Sequence, residues 1–402
     1  MENVNLIINN HMGRHKGDFF VSETGVMSPK TRNKSIWGAV HIKDILQESF
    51  LFDENFMLGF GNHRLKGDVP IRLSAFFKFQ KSNFNAFAEN TGMELAYYFN
   101  SKTSYNCPAK LNLDEESIKD ALNDISPKNL DTYGSLVFSM LEKDEKLFSF
   151  SYIQKKEEPI SDFEKNFKCI KMFVKEKFPT KTTEQLNPVI TNIERNLCYQ
   201  YLFRDCFGDV DYTSKNSGII FNEQTKDIKL AGNFDFGEMF SILYNTKFVD
   251  LKLVDVNLLS DAEKAIPGFV EAIENSNNLK MQKHNISAFE LGKNQHTFGE
   301  ESIKNIDFIC STYPEVAIVF LKSLQEFKQS EVLPILINET SGKSQEDDSP
   351  ALITNSEKGM VIDYINGKTD CYEKTLINSL QKNLTEEAYN SLIGQETEEG
   401  CQ

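Results

Sequence analysis

Two amphipathic stretches, one directly after the other, do most to limit what this chain can fold into. Asp162 to Phe178 carries apolar residues at helical spacing and is stopped by Pro179. Thr183 to Asp205 then reads as a second, longer helix. An apolar helix stripe must be buried against another element, so this pair predicts a helical core for the second half. Most of the later chain also reads as helix, with the strongest pattern from Glu300 to Gln329. The segment Asn338 to Ser349 is polar and predicts a mobile loop or linker, and the acidic tail after Thr397 predicts a frayed end.

The first half has a different character. Residues 1–70 are rich in Asn, Gly and Lys and show little sustained periodicity. Ile71 to Phe79 predicts a strand, and Asn85 to Asn100 a helix with one apolar side. A short polar helix is expected over Leu113 to Asn123. Two strand-like runs, Leu136–Leu141 and Leu147–Ile153, flank the charged turn Glu142-Lys143-Asp144-Glu145 and read as a hairpin. Two further short strands are expected at Ser217–Phe221 and Ile228–Ala231. Strands first and helices after predict a segregated α+β protein with two lobes, a β-rich one over 1–155 and a helical one over 156–402.

Composition narrows the function classes. With 40% hydrophobic and 26% charged residues, the chain of 402 residues is not disordered along its length. A net charge of −15 argues against a protein that coats DNA or an anionic membrane, because phosphate binding needs clustered positive charge. No run of about 18 apolar residues is present, so no transmembrane helix is expected. Met1 to Asn10 lacks the pattern of a secretory signal. Seven cysteines, odd in number and without a Cys-x-x-Cys pair, predict reduced thiols in a cytoplasmic protein. Six histidines, none at metal-ligand spacing, argue against zinc.

The segment that carries chemistry runs from Phe207 to Glu238. Asp211 and Asn216 stand five positions apart, and Asp235 follows in an Asp-Phe-Gly triplet beyond the expected hairpin. Phosphoryl transfer from ATP needs such a set. One carboxylate orients the attacking hydroxyl, while an amide oxygen and a second carboxylate hold magnesium against the phosphates. On that reading Asp211 is the base, and Asn216 and Asp235 are the metal ligands. The same residue types also build ordinary turns.

Gly208-Asp209-Val210-Asp211-Tyr212-Thr213-Ser214-Lys215-Asn216 resembles the catalytic loop of the HipA-like serine/threonine kinases, which carry Gly-Asn-x-Asp-x-His-x-x-Asn there. Leu230-Ala231-Gly232-Asn233-Phe234-Asp235 is similar to their Leu-Ala-Pro-x-Tyr-Asp metal motif. Asp209 stands where the family has Asn, and Thr213 where it has His. The resemblance is strongest over roughly 70–240. It implies a two-lobed protein-kinase-like fold, with ATP and Mg2+ as cofactors.

A kinase also needs a strand lysine for the nucleotide phosphates, positioned by an acidic residue on a nearby helix. Lys78, in Ala75-Phe76-Phe77-Lys78-Phe79, fits the first role; Glu89, with Glu94 as rival, fits the second. A snorkelling edge-strand lysine is the plainer reading of Lys78. Cys107-Pro108-Ala109-Lys110-Leu111 resembles the family's continuation of this region. Ser35-Ile36-Trp37-Gly38-Ala39 is similar to its phosphate-covering loop, which implies nucleotide contacts from Ser35, Gly38 and Ala39 and autophosphorylation at Ser35. Gly59-Phe60-Gly61-Asn62 is the rival loop. With only some 30 residues before Ser35, the additional N-terminal subdomain of some family members is expected to be absent.

The resemblance implies an ATP-dependent kinase acting on a Ser/Thr hydroxyl of a protein partner and on itself, with an antitoxin-like regulator. Neither stable nucleic-acid binding nor membrane association is expected. A small-molecule or lipid kinase and a nucleotide-binding pseudokinase are the alternatives, and a secreted effector is the alternative to a cytoplasmic protein.

Overall fold

Six strands near the N-terminus pair in a ring. They are β1 (Asn3–Asn10), β2 (Gly13–Met27), β3 (Ser35–Ile42), β4 (Arg72–Lys78), β5 (Asn106–Asn112) and β6 (Gly134–Phe138). The order is β1-β2-β3-β4-β6-β5, and β5 returns to β1 to close the barrel, with Asn5 opposite Asn112 and Ile8 opposite Ala109. Every pairing is antiparallel. The computed structural model describes residues 3–10, 13–27, 35–42, 72–80, 82–112, 133–138, 140–142, 144–155, 160–209, 211–240, 243, 300–341 and 351–394. Three strands thus lie where the sequence shows no sustained periodicity. Strand formation is decided by partners more than by local propensity, and one partner of β1 lies about a hundred residues away.

Helix α1 (Asn83–Tyr98) starts at Ser82, whose hydroxyl accepts the Asn85 N–H at 3.3 Å. It packs against β5 and β6. The hairpin expected over residues 136–153 does not form. β6 pairs with β4 and β5, whereas β7 (Glu145–Ser149) joins β8 (Gly218–Asn222) and β9 (Ile228–Leu230) in a separate antiparallel sheet. The second expected strand also stops early. The Ser149 hydroxyl accepts the Tyr152 N–H at 3.2 Å and starts the short helix α2 (Phe150–Gln154). The sheet of β7, β8 and β9 therefore draws strands from both sides of residue 155.

The helical half follows the sequence pattern more closely. α3 (Phe163–Lys177) is capped by Asp162, and α4 (Thr183–Cys206) by a reciprocal box between Thr182 and Gln185. The apolar stretch from residue 300 divides at Pro314 into α5 (Glu300–Thr312) and α6 (Pro314–Gln329). α7 (Val332–Thr340) takes in Asn338 to Thr340, where a polar loop was expected to begin; Leu333, Leu336 and Ile337 bury its apolar side. α8 (Asn355–Asn383) begins with a second capping box, Thr354 with Glu357, and α9 (Glu386–Gly394) follows. The expected helix at 113–123, the Gly59–Asn62 turn, most of the polar loop and the tail after Thr397 lie outside the described residues. Among the described residues, no helix is long and apolar enough to cross a membrane.

One ring joins the two halves. Phe99, at the end of α1, is fully buried against Phe203 and Phe207 near the end of α4 and against Phe320 and Phe327 of α6. Such aromatic contacts add about 0.5–1.5 kcal/mol each beyond the area they bury. A buried hydrogen bond from Thr91 to Thr340, at 2.8 Å, links α1 to α7.

Candidate active site

The strand β4 alternates, so Phe77 and Phe79 share one buried face and Lys78 and Gln80 share the other. The second face meets α1. There the Lys78 ammonium donates to Glu89 Oε2 at 2.8 Å and also pairs with the carboxylate of Asp235. Lys78 is 7% exposed, so an unpaired charge would be costly; two carboxylates remove that cost. Burial disfavours the charged lysine, yet Asp235 and Glu89 outweigh it and hold the ammonium above the ordinary lysine range. Lys78 is thus not a snorkelling edge residue.

Glu89 sits in mid-helix, beyond the first turn, and is 1% exposed. It accepts from Lys78, from Gln80 Nε2 at 3.3 Å and, through Oε1, from the Phe236 N–H at 3.0 Å. Gln80 also donates to Ser135 Oγ of β6 at 2.9 Å. Glu89 therefore joins the lysine strand to the Asp-Phe-Gly segment. Between the two sequence candidates, it is Glu89 that pairs with Lys78.

Asp235 has φ 63°, in the left-handed region that few non-glycine residues adopt. Burial pushes its carboxyl up, but the Lys78 ammonium more than offsets this and holds it below the usual range. The residues on either side of Asp235 are fixed. Asn233 donates to Ser101 Oγ at 2.7 Å and to the Lys102 carbonyl at 3.0 Å, and Asn85 Nδ2 donates to the Gly237 carbonyl at 2.6 Å. Phe236 is fully buried and lies over Gly92 of α1, where an added Cβ would come within 2.6 Å of its Cβ and Cγ. A Cβ on Gly237 would come within 3.0 Å of Glu89 Oε2.

The Asp211 loop leaves the C-terminal end of α4. Asn216 Nδ2 donates to the Asp211 carbonyl at 2.8 Å and to Asp211 Oδ2 at 3.3 Å. With its amide nitrogen committed to Asp211, Asn216 keeps its amide oxygen as an acceptor. Asp209 Oδ1 accepts the Asp211 N–H at 3.0 Å. Burial pushes the Asp209 carboxyl up to about 6, with Arg204 and the Asp211 amide pulling the other way.

Arg204 is the residue that sequence reading missed. It is fully buried in the last turn of α4. It pairs with Asp209 and donates to the carbonyls of Phe234 and Asp235 at 2.9 and 2.8 Å. Its guanidinium lies 4.4 Å from the Tyr212 ring centroid and 4.8 Å from that of Phe236. A cation in a helix's last turn ordinarily reads as a solvated partner of the macrodipole, which hid it. The one signal was Asp209, an acid where the resembled family has an amide.

One expectation is corrected. Ser35, Gly38 and Ala39 do not form a loop over phosphates; they belong to β3, paired on one side with β2 and on the other with β4. Backbone N–H groups committed to two ladders are not aimed at a ligand. Ser35 nonetheless stands directly opposite Lys78 in the ladder, and Gly38 opposite Ala75.

The donors suit a hard divalent cation, since Asp235 offers a carboxylate and Asn216 an amide oxygen. Among the described residues, no group of three or more His, Cys, Asp or Glu side chains could hold a metal ion. A Mg2+ ion held by these two groups would take its remaining ligands from phosphate and water.

No protein-family model matches this chain, and no curated protein matches it. Among solved structures it is similar to the crystal structure of the Helicobacter pylori proinflammatory kinase CtkA, at 9% identity and a TM-score of 0.40. The match covers 86% of this chain and 95% of the other.

Proposed function

We propose that this chain is an ATP-dependent kinase that transfers the γ-phosphoryl group of Mg-ATP to a serine or threonine hydroxyl of a protein. The observation that carries this reading is the ion-paired triad of buried Lys78, buried Glu89 and partly exposed Asp235. It joins one strand, one helix and the Asp-Phe-Gly segment through a single ammonium. Phosphoryl transfer depends mainly on positioning and electrostatic stabilisation, and a lysine held by two acids is a pre-oriented cation for phosphate oxygens.

In this mechanism Lys78 binds the nucleotide phosphates and Glu89 keeps its ammonium in place. Asp235 and the Asn216 amide oxygen would hold Mg2+, which neutralises charge on the phosphates when bound. Asp211 accepts the proton of the acceptor hydroxyl and aims its oxygen at phosphorus. The Asn216 amide restrains the Asp211 carboxylate from one side, at 3.3 Å.

The test is incubation of the full chain with labelled ATP and Mg2+, alone and with cell lysate. Label on serine or threonine of a protein is expected. Asp211→Ala should lower transfer by about 10²–10⁴-fold and leave Mg-ATP affinity nearly unchanged. Label only on small hydroxyl compounds or lipid head groups would replace the acceptor class. Mg-ATP binding with transfer to nothing would replace the enzyme with an interaction module.

A further inference from the structure

The base loop and the metal-ligand segment both end on one guanidinium. Asp209 takes Arg204 on one carboxylate oxygen and the Asp211 N–H on the other. The carbonyls of Phe234 and Asp235 accept from the two terminal nitrogens of the same Arg204. Tyr212, from the base loop, and Phe236, from the Asp-Phe-Gly segment, supply the rings on the guanidinium. Arg204 itself stands in the last turn of α4, the long helix that runs through the core.

We infer that Arg204 and Asp209 are a positioning pair that fixes where the Asp211 carboxylate stands relative to Asp235. This rests on the kinase reading of the site. A planar fork with five donors can serve a carboxylate and two carbonyls at once, whereas a lysine presents a point charge on a flexible stem. The pair is buried, so each member needs the other to offset its lost hydration. If the Phe234–Phe236 segment moves, Arg204 loses two acceptors and one ring together, and Asp209 carries the change to the Asp211 amide. The base is then in place only when the metal-binding carboxylate is. Asp209, a departure from the resembled family, is on this account one half of a local device that also includes Arg204.

The test compares Arg204→Lys, Asp209→Asn and the double variant Arg204→Met/Asp209→Asn in the full chain. Three quantities are read: kcat, Mg-ATP affinity by calorimetry, and melting temperature. Asp209→Asn should lower kcat by about 10- to 100-fold and change Mg-ATP affinity by less than about 2-fold, because the remaining amide oxygen can still accept from Arg204 while the acceptor for the Asp211 N–H is lost. Arg204→Lys should lower both, because it also releases the Asp235 carbonyl. The double variant should lose less than the two single losses combined, as expected for residues that act as a unit. Folded single variants with parental kcat and affinity would overturn the inference. So would an equal loss of kcat and affinity in Asp209→Asn. Should Arg204→Lys fail to fold, Asp209→Asn decides alone. If the parent binds Mg-ATP and transfers nothing, the kinase reading falls. The pairing is then judged by affinity, which Arg204→Lys should weaken and Asp209→Asn should not; equal effects would overturn it.

Discussion

Lys78 and Asp235 shift each other's titration in opposite directions, and the signs fix a pH window. Asp235 has a depressed carboxyl, so its contribution to stability is present above the unfolded aspartate value of about 3.9. That contribution is lost as pH falls through the lower folded value. Lys78 is raised, so its contribution is complete below about 10.5 and is lost as pH rises through its folded value. Between about pH 5 and 9 the pair should therefore be insensitive to pH. Denaturant unfolding of the parent and of Asp235→Asn at a series of pH values tests this. The stability difference should be constant from pH 7 to 5 and narrow below about pH 4. A difference that stays constant down to pH 3 would show that the lysine does not hold the carboxyl down.

At the scale of elements, α1 is the member most closely fitted to the site, and Gly92 shows how. Glycine inside a helix costs about 1 kcal/mol relative to alanine, so propensity alone favours Gly92→Ala. Packing opposes it, because the new Cβ would sit 2.6 Å from Phe236 Cβ and Cγ, both close to the backbone of that segment. Overpacking typically costs about 1–3 kcal/mol, which exceeds the propensity gain. Gly92→Ala is expected to lower the melting temperature and weaken Mg-ATP binding; a more stable variant with parental affinity would refute the fit. The long helices α3 and α4 were legible because amphipathic periodicity and their caps are local properties. Lys78, Glu89, Asp211, Asn216 and Asp235 were legible as residue types at recognisable spacing. Arg204 and Gly92 were not, since the importance of each lies in what faces it across the fold. The hairpin expected from Leu136 to Ile153 failed for a related reason. Its two runs are neighbours in sequence, but each finds a partner elsewhere.

For the molecule as a whole, the barrel was the least legible part, because its pairings are non-local. A closed ring leaves no strand with a free edge, and β1 supplies the closure by pairing with both β2 and β5. Deleting residues 1–12 should open the ring and leave β2 and β5 each with one unpaired side. The expected result is self-association by size-exclusion chromatography and a lower melting temperature. A monomer with the parental melting temperature would count against closure as a source of stability.

The same closure sets an order of events during synthesis. β1 is finished at Asn10, but its second partner, β5, ends at Asn112. At about 5–20 residues per second, roughly 5–20 s separate the appearance of one from the other at the ribosome. Through that interval β1 and β2 can pair while the outer side of β1 stays open. A nascent chain of this protein therefore carries an exposed strand edge for seconds, long enough for a chaperone to bind or for neighbouring chains on one message to pair.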